Sequence, residues 1–292
     1  MVDGRQGAPE NVPWRHHTVP ELLLKAFVNR KGHVWTRLVK DGRVVSLSIH
    51  DASVRSGFYA REDGTVALET FYANEIESPF GLTVSQGALA LPGTISNRKA
   101  KKTISLFFLS QFLRVNSSRE AYQRRTKAYL ADKLPQYHAR VGTAAAEIYG
   151  EPYGPKEQAE AEQNLIAQAL RRDQHIDFTK EMIEKHAPEL EMREWLILHV
   201  PVGRDELILS DAPAKVLQIG RDGGIRPLDH EGVARGDVSL FMPISPFLGL
   251  LGTNLPHVVA QLRTLDISAL NAATAAFSSQ IYARSKELLV SR

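Results

Sequence analysis

Residues 97–115, NRKAKKTISLFFLSQFLRV, are the stretch that decides the fold. It opens with basic residues, and from Ile104 to Leu113 it is apolar nearly all round, a pattern typical of a buried helix. We therefore predict a central helix over residues 97–115. Its polar residues Gln111 and Arg114 are three positions apart and share a face. Because Gln111 lies at the i+7 position after Ile104, it is predicted to point inward.

Arg114 on such a helix needs a partner, because an unpaired buried guanidinium costs several kcal/mol. The carboxylates on offer are Glu75 or Glu77 from the preceding predicted helix, and Asp211. The two glutamates point roughly 200° apart on an ideal helix, so both cannot face one pocket without a distortion near Pro79. The pairing is either a structural ion pair between two helices or part of a functional site.

In the rest of the chain, the sequence pattern predicts mainly helices first and strands later. It also predicts an early β-hairpin around Asp41-Gly42, a dipeptide typical of hairpin turns. This order predicts an α+β fold with a mainly helical core, the early hairpin and a small antiparallel sheet from the C-terminal half. Residues 1–14 are predicted to be a flexible tail and residues 15–292 a single globular domain. The other predicted helices are 20–28, 66–78 (interrupted by Pro79), 117–149 (broken or kinked at Pro135), 156–172, 257–264 and 267–289; the predicted strands are 33–40, 43–50, 194–200, 206–209, 239–243 and 248–251.

The composition is that of a globular protein, with 43% hydrophobic and 24% charged residues. The absence of cysteine excludes disulfides and thiolate chemistry, so a metal would have to bind His, Asp, Glu or Gln. The N-terminus has no apolar run typical of a signal peptide, and the longest apolar stretches are far shorter than the roughly 18 residues of a membrane span. We therefore expect a cytoplasmic protein with no membrane partner.

Two histidines, His16 and His17, stand just before the predicted helix that begins at Pro20. The positive end of the helix dipole disfavours an imidazolium there, and a neutral imidazole can accept a proton or bind a metal. The alternative interpretation is that one histidine caps the helix or packs while the other is solvated. Asp211 is equally open: it ends a predicted strand, where sites often lie, but Ser-Asp before proline is also ordinary turn chemistry.

Common catalytic signatures are missing. The sequence contains no GxxxxGK[ST] phosphate loop, no G-x-S-x-G elbow and no H-E-x-x-H zinc motif. Basic residues cluster in three places, either as contacts for a phosphate backbone or as the solvated faces of helices. These clusters are Arg98-Lys99-Lys101-Lys102, Arg124-Arg125-Lys127 and Arg171-Arg172.

Six segments occur in the order found in one known family: HHTVPELLLKAF (16–27), GFYARED (57–63), NEIES (74–78), FFLSQFLRVNSSRE (107–120), LILSDAPA (207–214) and FMPISP (241–246). Together they resemble a bacterial family catalogued as domain of unknown function 4238, whose members carry an HxxP motif near the N-terminus. The departures are Ala212 in place of the usual Asn, Asn116-Ser117 in place of Thr-Pro, and a spacing between Glu69 and Glu77 that is one residue off the pattern.

The resemblance implies a fold and a set of polar positions, but no activity. Those positions are His17, Glu77, Gln111, Arg114 and Asp211, with Glu75 open as the alternative glutamate. We expect a hydrolase that acts on a phosphodiester or nucleotide, with His17 as general base or metal ligand, Glu77 and Asp211 binding a divalent metal ion or orienting water, and Arg114 neutralising a phosphate. The alternative is a non-catalytic module that binds a small anionic ligand or nucleic acid.

Overall fold

The computed structural model describes residues 15–150, 153–201, 203, 205–229 and 232–290. The predicted tail, residues 1–14, lies outside the described residues. The helices are α1 (Glu21–Leu24), α2 (Ala67–Phe71), α3 (Ser78–Ser85), α4 (Arg98–Leu113), α5 (Asn116–Tyr149), α6 (Pro155–Ala169), α7 (Arg172–Glu191), α8 (Pro256–Gln261), α9 (Ile267–Ala275) and α10 (Glu287–Val290). Short 3₁₀ turns follow α1 and α8, at Lys25–Phe27 and Leu262–Thr264, and a π-helix, Tyr72–Glu77, joins α2 to α3.

The strands form antiparallel sheets, and this arrangement confirms the predicted α+β fold. A pair, β1-β4, lies beside a four-stranded sheet of order β3-β2-β12-β7 and a six-stranded sheet of order β5-β6-β11-β10-β8-β9. The strands are β1 (Arg15–His17), β2 (His33–Leu38), β3 (Val44–Ser48), β4 (Val54–Ser56), β5 (Gly93–Thr94), β6 (Glu194–His199), β7 (Leu209–Ser210), β8 (Lys215–Ile219), β9 (Ile225–Leu228), β10 (Ser239–Ser245), β11 (Leu248–Thr253) and β12 (Gln280–Ala283).

The central position predicted for residues 97–115 is confirmed by α4. Asn97 caps this helix, its side-chain oxygen accepting a hydrogen bond from the backbone N–H of Ala100 at 3.0 Å. Phe107 stacks on Phe80 of α3 with ring centroids 3.7 Å apart, and Phe108 lies against Trp195 of β6 at 5.7 Å. The helix is apolar nearly all round because it is covered on more than one side.

The middle of the six-stranded sheet is buried on both faces. Successive residues of a strand point to opposite faces, so Leu250 of β11 packs with the α4 side while Leu251 joins the core under α8 and α9. Met242 and Phe241 of β10 divide in the same way. Two-sided burial explains why these strands read as continuous apolar runs in the sequence. Within the described residues, no helix is long and apolar enough to cross a lipid bilayer.

The early hairpin is confirmed. β2 and β3 pair antiparallel, and the turn closes with Gly42 at a φ of 70°, a left-handed conformation that glycine adopts without steric cost.

Neither proline that was predicted to interrupt a helix ends one. Pro79 sits in the first turn of α3, where its missing N–H costs little, and α5 continues through Pro135 because a long helix keeps its remaining hydrogen bonds.

The predicted helix over residues 267–289 is wrong. α9 ends at Ala275, Phe277 adopts a left-handed φ of 58°, and the chain then extends into β12. β12 pairs with β2 on one side and with β7 on the other. These partners lie far away in the sequence, so pairing between distant strands overrides the local helical pattern.

Candidate functional site

Arg114 is the centre of a polar cluster. It follows the last residue of α4 and is 2% exposed. Its Nε donates to the Tyr59 hydroxyl at 3.1 Å, its Nη2 donates to the backbone carbonyl of His17 at 2.6 Å, and its Nη1 donates to Glu77 in an ion pair. The carboxylate predicted for this guanidinium is therefore Glu77. The three bonds tie together β1, the segment after β4 and the π-helix.

Two buried tyrosines enclose the guanidinium. The Cζ atom of Arg114 lies 5.4 Å from the ring centroid of Tyr59 and 4.7 Å from that of Tyr72, within cation–π range. Burial raises the pKa of Tyr59 to about 12, so its phenol stays protonated at neutral pH and donates to the Arg114 carbonyl at 2.9 Å. Among the described residues, the buried hydroxyl of Tyr72 has no hydrogen-bond partner.

The π-helix decides which glutamates face Arg114. Its i→i+5 turns hold more residues than the about 3.6 of an α-helix turn, so side chains after it are rotated relative to an ideal helix. Glu77 comes to Arg114 as a result, while Glu75 is exposed. The sequence indicated that a distortion was needed but not that it would be a π-helix.

Glu69 is a member of the cluster that the sequence interpretation missed. Burial raises the pKa of its carboxyl, the charge of Arg114 opposes this shift, and the charge of Glu77 adds to it. Within the described part of the chain, its buried Oε2 has no hydrogen-bond partner. Glu69 therefore holds its proton to a higher pH than an ordinary glutamic acid.

Replacing Glu69 with glutamine should change how stability depends on pH. Because the folded protein binds the Glu69 proton more tightly than the unfolded chain does, this group favours folding most at low pH and loses that contribution as the pH rises through the raised pKa. Above that window Glu69→Gln should be more stable than the wild type by about 1 kcal/mol, after allowance for the partial exposure of the side chain. Thermal melts from about pH 4 to pH 8 measure the difference.

The matched control is Glu75→Gln, at an exposed glutamate on the π-helix that follows α2, whose melts should run parallel to those of the wild type. A Glu69→Gln variant that is less stable than the wild type at neutral pH would show that the carboxylate form of Glu69 is needed by the fold.

His16 and His17 take different roles, although they are adjacent. His16 is fully buried, accepts a hydrogen bond from the backbone N–H of Tyr59 at its Nδ1 (2.8 Å), and stacks on the Tyr59 ring. His17 remains 21% exposed at its side chain, and its Nε2 lies 3.5 Å from Glu21. Burial lowers the pKa of His17, and the opposing charge of Glu21 only partly offsets this. His17 is therefore a neutral imidazole at neutral pH, beside a carboxylate that orients it.

Gln111 and Asp211 make their hydrogen bonds outside the Arg114 cluster. Gln111 points inward as predicted and is fully buried; its Nε2 donates to the Ser110 hydroxyl at 3.1 Å, and its Oε1 has no hydrogen-bond partner among the described residues. Asp211 accepts hydrogen bonds from the backbone N–H (2.9 Å) and the hydroxyl of Ser279. It thereby ties the turn after β7 to β12 and lines a cavity of about 210 Å³ with Asn116.

The predicted set is thus only partly assembled. Arg114 contacts Glu77 and the backbone of His17, whereas the hydrogen bonds of Gln111 and Asp211 are to other residues. His17, Glu77 and Asp211 were predicted as metal ligands. Over the ranges that the structure describes, no group of three or more His, Asp or Glu side chains is placed to hold a metal ion.

Comparison with known proteins bears on the origin of this cluster. The model of a family described as a protein of unknown function, DUF4238, matches residues 15–287. The chain belongs to the DUF4238 family. This confirms the resemblance seen in the sequence, and the DUF4238 match contains the whole Arg114 cluster as well as Asp211. No curated protein and no solved structure matches the chain.

Proposed function

We propose that the protein is a hydrolase that acts on a phosphodiester or nucleotide, with acid–base chemistry at the Arg114 cluster. The observation that carries the proposal is the contrast between two glutamates beside one buried guanidinium. Glu77 is ion-paired with Arg114, whereas Glu69 is half-buried, its buried Oε2 has no hydrogen-bond partner among the described residues, and its pKa is raised. Two carboxyl groups in contrasting environments are the arrangement by which active sites separate a proton donor from a carboxylate.

The roles follow from these environments. Glu69, whose raised pKa lets it keep its proton to a higher pH than an ordinary glutamic acid, serves as general acid for the leaving group. His17 is neutral, lies beside Glu21 and serves as general base for water, the role that a neutral imidazole fills best near neutral pH. Glu77, fixed by Arg114, orients that water. Hydrolysis then needs one proton taken from water and one delivered to the leaving oxygen.

Arg114 is suited to stabilise the negative charge that develops on a phosphoryl group. Its contacts with described residues use three of the five N–H donors of a guanidinium. The buried tyrosine walls keep the guanidinium in one orientation, and charge-assisted hydrogen bonds in a dry site are stronger than those in water.

Partial exposure favours function over a purely structural role. A cluster that only specified packing would be closed to solvent, but the side chains of Glu77 and His17 are 23% and 21% exposed. The cluster therefore reaches the surface along the edge that carries the proposed base. A substrate can approach the two groups there.

A hydrolysis assay with a matched pair of histidine variants tests the proposal. Bis(p-nitrophenyl) phosphate, p-nitrophenyl phosphate and the common nucleotides serve as substrates, each with Mg²⁺, with Mn²⁺ and with a chelator. We expect turnover of at least one of them, and a loss of about 100-fold in kcat/KM for His17→Gln, because general base catalysis contributes on that order. His50→Gln is the control, since His50 bonds to the same Glu21 at 2.9 Å but is 74% exposed at its side chain.

Equal activity in His17→Gln and His50→Gln would remove His17 from the mechanism. A protein that turns over no substrate under any of the metal conditions would support the non-catalytic alternative, a module that binds a small anionic ligand or nucleic acid. Comparison of the chelator condition with the Mg²⁺ and Mn²⁺ conditions also decides whether a divalent ion takes part, independently of the histidine variants.

A further inference from the structure

Phe277 combines two unfavourable features. It is a bulky residue with a left-handed φ of 58°, a conformation that side chains larger than Asn rarely adopt, and it is 50% exposed. A glycine would fill this position between α9 and β12 without strain. The phenyl ring is therefore held at the surface against both its backbone preference and its hydrophobicity, and outliers of this kind cluster at ligand sites.

The residues on both sides of Phe277 are clamped. Buried Lys215 donates from Nζ to the carbonyl of Ala276 at 2.5 Å and to the hydroxyl of Ser278 at 3.1 Å. Asp211 then binds the backbone N–H and hydroxyl of Ser279. The buried amino group of Lys215 and the carboxylate of Asp211 together fix the turn, so the orientation of the ring is imposed by the core and is not that of a loose loop.

An arginine-lined cavity opens on one side of Phe277. It has a volume of about 440 Å³ and is lined by Arg124 and Arg125 of α5, Arg226 of β9 and Arg235. Arg124 lies 3.6 Å from Asp229, and Arg235 pairs with Asp237 through two hydrogen bonds. Four guanidinium groups therefore face two carboxylates, Asp229 and Asp237, so arginines outnumber carboxylates among the described residues at this cavity, as a phosphate site requires.

A smaller polar cavity also has Phe277 in its lining. Its volume is about 210 Å³, and Phe277 lines it together with Asn116, Ser117 and Glu120. These side chains offer both hydrogen-bond donors and acceptors. Phe277 therefore lines both an arginine-rich cavity and one whose side chains can hydrogen-bond to a polar, planar group.

We propose that Phe277 and the arginine cavity form a nucleotide-binding site. The phosphate lies among Arg124, Arg125, Arg226 and Arg235, the base stacks on the Phe277 ring, and the polar cavity receives the edge of the base or the ribose. Stacking on an aromatic ring and cationic contact with phosphate are the two interactions that nucleotides share. The site requires no chemistry at Arg114, so it stands apart from the proposed hydrolase activity.

Isothermal titration calorimetry with AMP and ATP tests the site, with inorganic phosphate and adenosine as partial ligands. The wild type should bind both nucleotides more tightly than either partial ligand. Phe277→Gly should weaken binding by at least about tenfold, the size of a stacking contact, while its melting temperature stays equal or rises because strain is relieved. Arg226→Ala should weaken binding by about tenfold and reduce the salt dependence, whereas Arg98→Ala, an exposed arginine paired with Glu191, should change neither.

A 5′-phosphorylated oligonucleotide distinguishes a free nucleotide from a strand end as the ligand. If the oligonucleotide binds the wild type more tightly than AMP does, and Phe277→Gly loses this binding, the site is supported and its ligand is a strand end. The inference is overturned if no nucleotide binds at millimolar concentration, if inorganic phosphate binds as tightly as AMP, or if Phe277→Gly binds like the wild type. Calorimetry detects binding without turnover. The nucleotide-binding site can therefore be tested even if the protein hydrolyses no substrate.

Discussion

Replacing Arg114 with alanine will destabilise the protein by about 3–5 kcal/mol, the cost of removing one partner from a buried ion pair. The guanidinium is 2% exposed and makes three directed bonds, to Tyr59, Glu77 and the carbonyl of His17. Its loss strands the Glu77 carboxylate and leaves a cavity between two tyrosine rings. Urea denaturation monitored by circular dichroism gives the free energy of unfolding directly.

His17→Ala and Arg98→Ala are the comparison variants for this measurement. His17→Ala should cost only about 1 kcal/mol, on the scale of a lost cap, because the imidazole is partly exposed and Arg114 binds the backbone carbonyl at this position. Arg98→Ala removes an exposed arginine from α4, the helix that Arg114 follows, and should cost less than about 1 kcal/mol. If His17→Ala unfolds as early as Arg114→Ala, His17 belongs to the structural core and its catalytic role is withdrawn.

The sequence predicted those features that rest on local pattern. Continuous apolar residues placed α4 at the centre, and Asp41-Gly42 marked the hairpin of β2 and β3. The energetic cost of an unpaired buried charge predicted that Arg114 pairs with a carboxylate. Glu77 was one of the three candidate partners. These inferences hold because each depends on residues close together in the chain or on one strong energetic cost.

The features that the sequence did not predict arise from contacts between distant segments. The π-helix is set by how Glu77 and Tyr72 must pack around Arg114, which a 3.6-residue periodicity cannot show. β12 extends because β2 and β7 offer it partners. Asp211 binds Ser279, which directly precedes β12. The role of Asp211 as a turn residue therefore depends on β12, a segment for which the local sequence pattern predicted a helix. Glu69 became a site residue only through burial.

A second buried arginine, Arg193, organises the segment that carries Arg235. It follows α7, is 2% exposed, and donates to three backbone carbonyls: Val238 at 2.7 Å, Arg235 at 2.5 Å and Val233 at 3.1 Å. Burial lowers the pKa of Arg193 and the charge of Asp237 opposes this shift, yet an arginine remains charged at any physiological pH. Its bonds fix this turn to the end of α7.

Arg193→Met should therefore destabilise the protein by about 3 kcal/mol, since charge-assisted bonds to buried carbonyls are lost while the apolar volume is roughly kept. Arg193→Lys should fall between this variant and the wild type, because one ammonium cannot reach all three carbonyls, and Arg43→Met, at an exposed arginine, should change little. Urea denaturation measures the loss, and hydrogen exchange should show faster exchange at residues 232–238.

Since Arg235 lines the arginine cavity, Arg193→Met should also weaken AMP binding at temperatures where the variant is still folded. Unchanged exchange in that segment, with stability within about 1 kcal/mol of the wild type, would mean that the turn holds its shape without Arg193.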